Sequence, residues 1–162
     1  MQVYGIDLSK EKFDVKSLGI IGMSMGGMAT NEMYISDSRV QAGINMDGGL
    51  IGSQLDKKIQ TPFMFLNGKR YVGYGKLFTS NIINDGYSFS VKDADHYNFT
   101  DYSIYKIQNL SFLMGTIKGN RIIEIMNDLV VAFFDKYLKE KEKINIIDIA
   151  QSYPDIEIWT NL

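Results

Sequence analysis

The segment Gly22-Met23-Ser24-Met25-Gly26 has the residue types that an enzyme needs to present a reactive serine. Glycines two positions before and after the serine allow a sharp strand-to-helix turn, because a Cβ there would collide with the neighbouring strand and helix. Such a turn holds the Ser24 hydroxyl above the sheet at the positive end of a helix, and directs the Met25 N–H at a developing oxyanion. The segment therefore predicts a nucleophilic serine, with Met25 as an oxyanion-hole donor. A glycine-rich turn without chemistry is the alternative.

A serine hydroxyl is a poor nucleophile unless a base removes its proton, and histidine is the usual base at neutral pH. The chain has one histidine, His96, in the polar stretch that follows a predicted strand. This position lies on the same sheet edge as Ser24. A lone histidine is more often a surface or structural residue, but without it Ser24 would have no partner. We therefore predict that His96 is the general base.

A carboxylate that orients the histidine is expected between the serine and the histidine in the chain. Asp47 directly follows a predicted strand on the same sheet edge, although an Asp-Gly pair is also a common turn. Asp85 precedes a strand and so falls at the opposite end. Asp93 and Asp95 are rivals which, as neighbours of His96, would more naturally stay solvated. The residues by themselves leave Asp47, Asp93 and Asp95 open.

The elements that must position these side chains alternate between strands and helices. Apolar runs bounded by turn residues predict four strands, the first of them buried with helices on both faces. These strands are Leu18–Met23, Val40–Met46, Thr61–Leu66 and Tyr87–Val91. Right-handed crossovers place their carboxyl ends along one edge, where ligands bind. The predicted fold class is α/β, with a mostly parallel sheet of about four strands and flanking helices.

Two helices are predicted with clear boundaries. The first begins directly after Ser24 and ends at residues 36–38. Its expected apolar members are Met28, Ala29 and Met33. The second covers Arg121–Lys139, where apolar residues recur every three to four positions and Asn120 is a candidate cap.

Three segments have weaker patterns. Residues 7–17 suit a short surface helix, and residues 68–75 are predicted as a loop because they contain three glycines. The tail over residues 144–162 has apolar positions without a sustained period, so we expect it to pack loosely over the core.

The sequence does not define which residues form the substrate pocket. Four aromatic residues could line a substrate pocket, although core or surface packing is expected for each. They are Tyr71, Tyr74, Phe78 and Phe99.

Composition narrows the function class. With 162 residues the chain suits one compact domain, and a net charge of −2 argues against nucleic acid as a partner. The absence of cysteine and the single histidine exclude a disulfide framework and a multi-histidine metal site. No apolar stretch is long enough to span a bilayer, and Met1-Gln2-Val3-Tyr4 lacks the pattern of a secretory signal. The cellular compartment is not determined by these features.

Several stretches resemble the platelet-activating-factor acetylhydrolase-like branch of the α/β-hydrolases, the plasma-type or isoform II lipase family. The matching stretches are Ile20–Gly27, Gly43–Gly48, Thr61–Asn67 and His96–Asp101, and Phe133–Leu138 is similar to the last helix of that family. The resemblance covers nearly the whole chain. Met23 is a departure, since many members have histidine before the serine.

The resemblance implies that the acid follows the strand after the serine, and so assigns the role to Asp47. It implies a serine esterase or lipase that cleaves short acyl carboxylic esters, including acetyl groups on phospholipid-like substrates, without a cofactor or metal. Its small-molecule partner would be such an ester. A dienelactone-hydrolase-like or acyl-peptidase-like enzyme is an alternative that differs by substrate.

Enzymes of this fold carry a half sheet before the nucleophile, whereas fewer than 20 residues precede Leu18 here. We therefore expect a single, N-terminally truncated catalytic domain, the C-terminal half of an α/β-hydrolase fold. Loss of a second oxyanion donor would lower turnover about 100- to 1000-fold. The first strand would be an exposed sheet edge, through which the chain could self-associate. A non-catalytic interaction or oligomerising module is the alternative function.

Overall fold

The computed structural model describes residues 2–3, 6–7, 17–50, 58, 60–105 and 112–160. Near the N-terminus, β1 (Gln2–Val3) and β2 (Ile6–Asp7) pair antiparallel. The surface helix predicted over residues 7–17 falls almost wholly on residues 8–16, which lie outside the described residues. That helix stays a prediction.

A second sheet of five strands forms the centre of the fold, in the order β3-β4-β5-β6-β7. Its strands are β3 (Leu18–Met23), β4 (Val40–Met46), β5 (Phe63–Asn67), β6 (Gly86–Val91) and β7 (Ile156–Thr160). The first four are parallel, and β7 pairs antiparallel with β6. The predicted α/β class and mostly parallel sheet are confirmed, and each predicted strand shifts by two residues or fewer at its ends.

The fifth strand comes from the tail that was expected to pack loosely, so that expectation is wrong. The tail forms α5 (Ile146–Gln151) and then β7. Asn145 caps α5 by accepting hydrogen bonds from the N–H groups of Ile147 and Asp148. Elements of five and six residues are too short to show a period, and their stability comes from burying Ile146 and Ile156 in the core.

Helices cover both faces of the sheet. On one face, α1 (Met25–Ser36) and α2 (Val72–Thr79) pack over a cluster that includes Phe63 and Phe65. On the other, α4 (Gly119–Leu138) and α5 pack over Met64 and Leu66, and the short α3 (Tyr102–Tyr105) contacts α4. Alternate residues of β5 therefore serve opposite layers of the core, as strand geometry requires. Among the described residues, no helix has the length and apolar composition needed to cross a bilayer.

The burial of β3 and α1 differs from the prediction. β3 is the edge strand and Ile21 is 42% exposed, so this strand is not buried on both faces. α1 begins after Ser24 and ends at Ser36 as predicted, but Ala29 and Met33 face away from the core. Its buried residues are Gly27, Thr30, Asn31 and Tyr34. Because apolar residues occur all around this helix, their spacing did not indicate which side packs against the sheet.

Two further boundaries correct the sequence analysis. α4 begins at Gly119, with Lys118 in the N-cap position but without a side-chain capping hydrogen bond, so Asn120 lies inside the helix instead of capping it. Residues 72–79 form α2 where a loop was predicted. Glycine is a poor helix former, which hid this helix, but Phe78 is fully buried and its ring lies 5.1 Å from those of Phe63 and Phe65. This packing stabilises a helix that local propensity disfavours.

The core contact of α4 provides a stability test. Phe133 is fully buried among aromatic rings of β6 and α4, whereas Val131 on the same helix is 59% exposed. We expect Phe133→Ala to lower the free energy of unfolding by about 3–5 kcal/mol, because it leaves a cavity. The control Val131→Ala should change it by less than about 0.5 kcal/mol. Urea unfolding followed by circular dichroism measures both, and equal effects would contradict this packing.

Candidate active site

Ser24 forms the turn between β3 and α1 and has an uncommon backbone conformation. Its φ of 57° and ψ of −119° fall outside the regions that non-glycine residues favour, at a cost of about 1–3 kcal/mol. The Ser24 N–H donates to the Met46 carbonyl at 2.9 Å, and the Ser24 carbonyl accepts the Met28 N–H at 3.0 Å. These bonds hold the serine at the carboxyl edge of the sheet, between β4 and the first turn of α1.

The glycines around Ser24 have different packing roles. A Cβ on Gly22 would lie 2.2 Å from the Gly26 carbonyl oxygen, and one on Gly27 would lie 2.3 Å from Asn45 Oδ1. A Cβ on Gly26 would meet nothing within 4 Å. The steric argument made from the sequence is therefore right for Gly22 and wrong for Gly26. The glycine that lets α1 approach the end of β4 is Gly27.

Asp47 follows β4 directly and is fully buried. It has a positive φ of 47°, which aspartate tolerates better than most residues. Its Oδ1 accepts the Gly68 N–H at 2.8 Å, and its own N–H donates to the Leu66 carbonyl at 3.0 Å. Burial raises the pKa of the Asp47 carboxyl, while the hydrogen bonds from His96 and Gly68 act to lower that pKa. Asp47 is thus held between the ends of β4 and β5.

His96 begins a 3₁₀ helix, His96–Phe99, just beyond β6. Asp95 caps this helix, since its Oδ1 accepts the His96 N–H at 2.7 Å. Asn98 completes the cap: its Oδ1 accepts the Asp95 N–H at 2.8 Å and the Gly115 N–H at 2.6 Å. The cap fixes the backbone on which the imidazole is mounted.

The three predicted residues form one hydrogen-bonded chain. His96 Nε2 lies 2.9 Å from Ser24 Oγ, and His96 Nδ1 lies 2.6 Å from Asp47 Oδ2. With its proton on Nδ1 facing the carboxylate, the ring presents an acceptor nitrogen to the serine hydroxyl. The His96 side chain is 15% exposed, so solvent reaches one side of an otherwise buried pair. This arrangement can take a proton from Ser24 and stabilise the resulting imidazolium; the catalytic roles themselves stay predictions.

The other candidate residues have different positions. Asp95 is the cap of the histidine turn and lies 3.4 Å from Arg70, and the Asp93 carbonyl accepts the Ile117 N–H. Asp85 accepts a hydrogen bond from Tyr137 at the other end of β6, as its position in the sequence indicated. The Met25 side chain is 80% exposed, and its N–H, in the first turn of α1, has no acceptor among the described residues. Its oxyanion role remains a prediction.

Sequence reasoning missed a buried amide network behind the serine. Asn45 Nδ2 donates to Asn31 Oδ1 at 3.0 Å, and Asn31 Nδ2 donates to the Gly49 carbonyl at 3.1 Å. Asn45 Oδ1 accepts the Gly48 N–H at 2.8 Å. The network ties α1 to the turn that carries Asp47. The sequence indicated this network only through polar residues inside an apolar strand and an apolar helix. It did not indicate which residues would be hydrogen-bonded to each other.

The described residues contain no group of three His, Cys, Asp or Glu side chains that could hold a metal ion. The site instead consists of a serine on a strand-to-helix turn with a hydrogen-bonded histidine and aspartate, on the carboxyl edge of a mostly parallel sheet. This fold and this site define the class of α/β-hydrolases.

Comparison with known proteins gives the family. The family model for platelet-activating factor acetylhydrolase, isoform II, matches residues 2–158, and the chain belongs to this family. A comparison with curated proteins finds no match.

A ferulic acid esterase from Streptomyces cinnamoneus has a similar structure, with a TM-score of 0.80 and 20% sequence identity. The alignment covers 94% of this chain and 49% of the esterase, so the chain spans about half the length of that enzyme. At this identity the likeness shows a shared fold.

The glycines of the serine turn allow a paired test. Gly27→Ala should lower the free energy of unfolding by about 1–3 kcal/mol, because its Cβ overlaps the buried Asn45 amide. Gly26→Ala should leave stability unchanged or raise it by up to about 1 kcal/mol, because the space is open and alanine favours a helix. The midpoints of urea unfolding compare the two variants. A larger loss for Gly26→Ala would contradict the packing of this turn.

Proposed function

We propose that this chain is the catalytic part of a serine ester hydrolase that works through a covalent acyl-enzyme. The observation that supports the proposal is the hydrogen-bonded chain from Ser24 through His96 to the buried Asp47. In this arrangement the aspartate keeps the proton on histidine Nδ1, so that Nε2 can accept the proton of the serine hydroxyl. This activates the serine as a nucleophile.

In the proposed reaction, His96 Nε2 takes the Ser24 proton as Ser24 Oγ attacks the ester carbonyl carbon. The negative charge that develops on the carbonyl oxygen is stabilised by the Met25 N–H and by the positive end of α1. The imidazolium then gives its proton to the departing alcohol, and an ester forms on Ser24. Water attacks this ester with His96 again as base, which releases the carboxylic acid and restores the serine.

We propose short acyl carboxylic esters as the substrates, with acetyl esters of phospholipid-like alcohols among them. The family description, an acetylhydrolase, supports an acetyl group on the acyl side. The name of the structural neighbour, a ferulic acid esterase, supports ester chemistry on this fold. Dienelactone-hydrolase-like or acyl-peptidase-like activity would use the same three residues and differ in substrate.

The assignment of roles is tested by covalent labelling with a fluorophosphonate probe, because this probe reports nucleophile activation without requiring turnover. We expect the probe to modify Ser24, Ser24→Ala to abolish modification, and His96→Ala to lower its rate about 1000-fold or more. Asp47→Asn should lower the rate at least about 100-fold, since it favours the wrong histidine tautomer. Mass spectrometry of the labelled peptide measures each rate.

Asp93→Asn is the matched control for Asp47→Asn, because it makes the same change at a rival carboxylate close to His96 in sequence. Its labelling rate should equal that of the original protein. Loss of labelling with Asp93→Asn but not with Asp47→Asn would overturn the assignment of the acid. Labelling that persists in His96→Ala would overturn the base.

A second candidate function is association through the edge of β3, which has no strand partner there among the described residues. β3 has a strand neighbour on one side in the described sheet, contains neither proline nor charge, and leaves Ile21 42% exposed. Edge strands without such protection tend to pair with other chains. On α1, Met25 and Met33 are exposed next to this strand in the fold, which adds apolar surface.

Self-association is tested by light scattering during size-exclusion chromatography. We expect the chain to form concentration-dependent dimers and Ile21→Lys to remain monomeric, because a lysine on an edge strand opposes pairing. The control Val131→Lys adds the same charge at an exposed apolar residue of α4 and should still dimerise. A monomer at all concentrations would reject association through β3.

A further inference from the structure

Four tyrosine rings lie in a row with the ring of His96. The centroid distances are 6.0 Å from Tyr74 to Tyr71, 5.8 Å from Tyr71 to His96 and 5.6 Å from His96 to Tyr97. A fourth step of 5.6 Å joins Tyr97 to Tyr102 with edge-to-face geometry. We call Tyr71, Tyr74, Tyr97 and Tyr102 the tyrosine row. Tyr71, the residue before α2, and Tyr97, in the 3₁₀ helix that begins with His96, both lie against the His96 ring.

The tyrosine row differs from the other tyrosines of the described core. The hydroxyls of those residues all have hydrogen-bond partners: Tyr34 with Thr61, Tyr87 with Tyr137, Tyr137 with Asp85, and Tyr153 with Asp128. Within the described residues, none of the four hydroxyls of the tyrosine row has one. Tyr71, Tyr97 and Tyr102 are half-buried, and Tyr74 is exposed. Core packing therefore does not account for four adjacent rings with solvent access.

The tyrosine row lies beside the catalytic histidine proposed above and beside the turn that carries Asp47. Tyr71 lies beside the turn after Asp47, since a Cβ on Gly49 would be 3.7 Å from its ring. The adjoining Gly48 packs against the Ser24 carbonyl, where a Cβ would be 2.6 Å away. His96 Nε2, between Tyr71 and Tyr97 in the row, is 2.9 Å from Ser24 Oγ. A group attached to an ester at Ser24 therefore has aromatic faces and edges within reach.

Two other aromatic residues that the sequence offered as pocket-lining candidates are excluded from this surface by their burial. Phe78 is fully buried against Phe63 and Phe65, and Phe99 is buried in the core below the 3₁₀ turn. Of the four candidates from the sequence, Tyr71 and Tyr74 belong to the tyrosine row. The structure adds Tyr97 and Tyr102. The aromatic surface at the site is therefore made by tyrosines at the start of α2, in the 3₁₀ helix and at the start of the short helix Tyr102–Tyr105.

We propose that the tyrosine row is a subsite for a planar aromatic ring on the substrate, on either the acyl or the alcohol side of the scissile ester. This inference deepens the proposed function, and it rests on an ester being bound at Ser24. Aromatic rings attract one another in offset and edge-to-face contacts beyond the effect of buried area. A saturated ring of similar size would bury comparable area without these contacts. The row therefore selects for planarity as well as for hydrophobicity.

The test compares ligands that differ only in this property. Benzyl acetate and cyclohexylmethyl acetate form one pair, with the ring on the alcohol side. Methyl phenylacetate and methyl cyclohexylacetate form the second pair, with the ring on the acyl side. Dissociation constants are measured by saturation-transfer NMR on Ser24→Ala, so that binding is read without cleavage. We expect the aromatic member of one pair to bind about 5- to 10-fold more tightly than its saturated partner.

Substitutions in the tyrosine row, made in the Ser24→Ala background, identify which rings cause the aromatic preference. Tyr71→Leu and Tyr97→Leu keep apolar volume but remove the ring, and each should bring the preference close to unity. Tyr71→Phe keeps the ring and should retain the preference. Tyr105→Leu is the matched control, because Tyr105 lies on α3 (Tyr102–Tyr105), is 72% exposed and lies outside the tyrosine row. It should bind as Ser24→Ala alone does.

The outcomes separate this inference from the proposed function. Equal binding within both pairs, or a preference that survives both leucine variants, would overturn the subsite. If the aromatic preference holds while the fluorophosphonate fails to label Ser24, the subsite stands and the esterase assignment fails. If Ser24 is labelled but neither aromatic ester is preferred, the esterase assignment stands and the subsite fails. The pair that shows the preference identifies the acyl or the alcohol side.

Discussion

The hydrogen bond between His96 Nδ1 and Asp47 Oδ2 requires a buried carboxylate at the meeting point of three strand ends. A buried carboxylate is costly unless its oxygens have partners. The loop after β5 satisfies this requirement and links the two sides: Gly68 donates to Asp47, and Lys69 donates to the Ala94 carbonyl. The sheet order, the loop lengths and the cap of the histidine turn are all consistent with keeping this one contact.

The serine side of the site contains strain that nearby packing must offset. Ser24 occupies a backbone conformation that few residues adopt, and Asp47 also has a positive φ. The amide pair Asn31 and Asn45 joins α1 to the turn after β4, while Gly27 lets these elements approach closely. Because hydrogen bonds are directional, buried amides with hydrogen-bond partners fix the relative position of two elements more closely than apolar packing alone does. The turn at Ser24 and the turn at Asp47 are therefore joined by hydrogen bonds and close packing.

Elements with long, regular patterns in the sequence could be predicted, whereas short elements and elements with mixed patterns could not. The strands of the parallel sheet and the long α4 were predictable, since buried strands are uninterrupted apolar runs and α4 has a clear helical period. β7 and α2 were not, because a five-residue strand has little pattern and the glycines in residues 72–79 argue against a helix. For the site, the residues alone pointed to Ser24 and His96, whereas Asp47, Asp93 and Asp95 stayed open as the carboxylate until the family resemblance favoured Asp47. The cap by Asp95 could not be predicted, since its signal is the same as that of a solvated loop.

By itself, the sequence determined the residue types at the site and their order along the chain, because a sharp turn at Ser24 and a single histidine leave few alternatives. It also determined the α/β class through alternating apolar runs. Only the tertiary structure decided which carboxylate meets His96, which side of α1 is buried, and which aromatic residues stand beside the site. These depend on how far apart residues lie in space after the strands have paired. That distance is a property of the packed sheet, and spacing along the chain does not contain it.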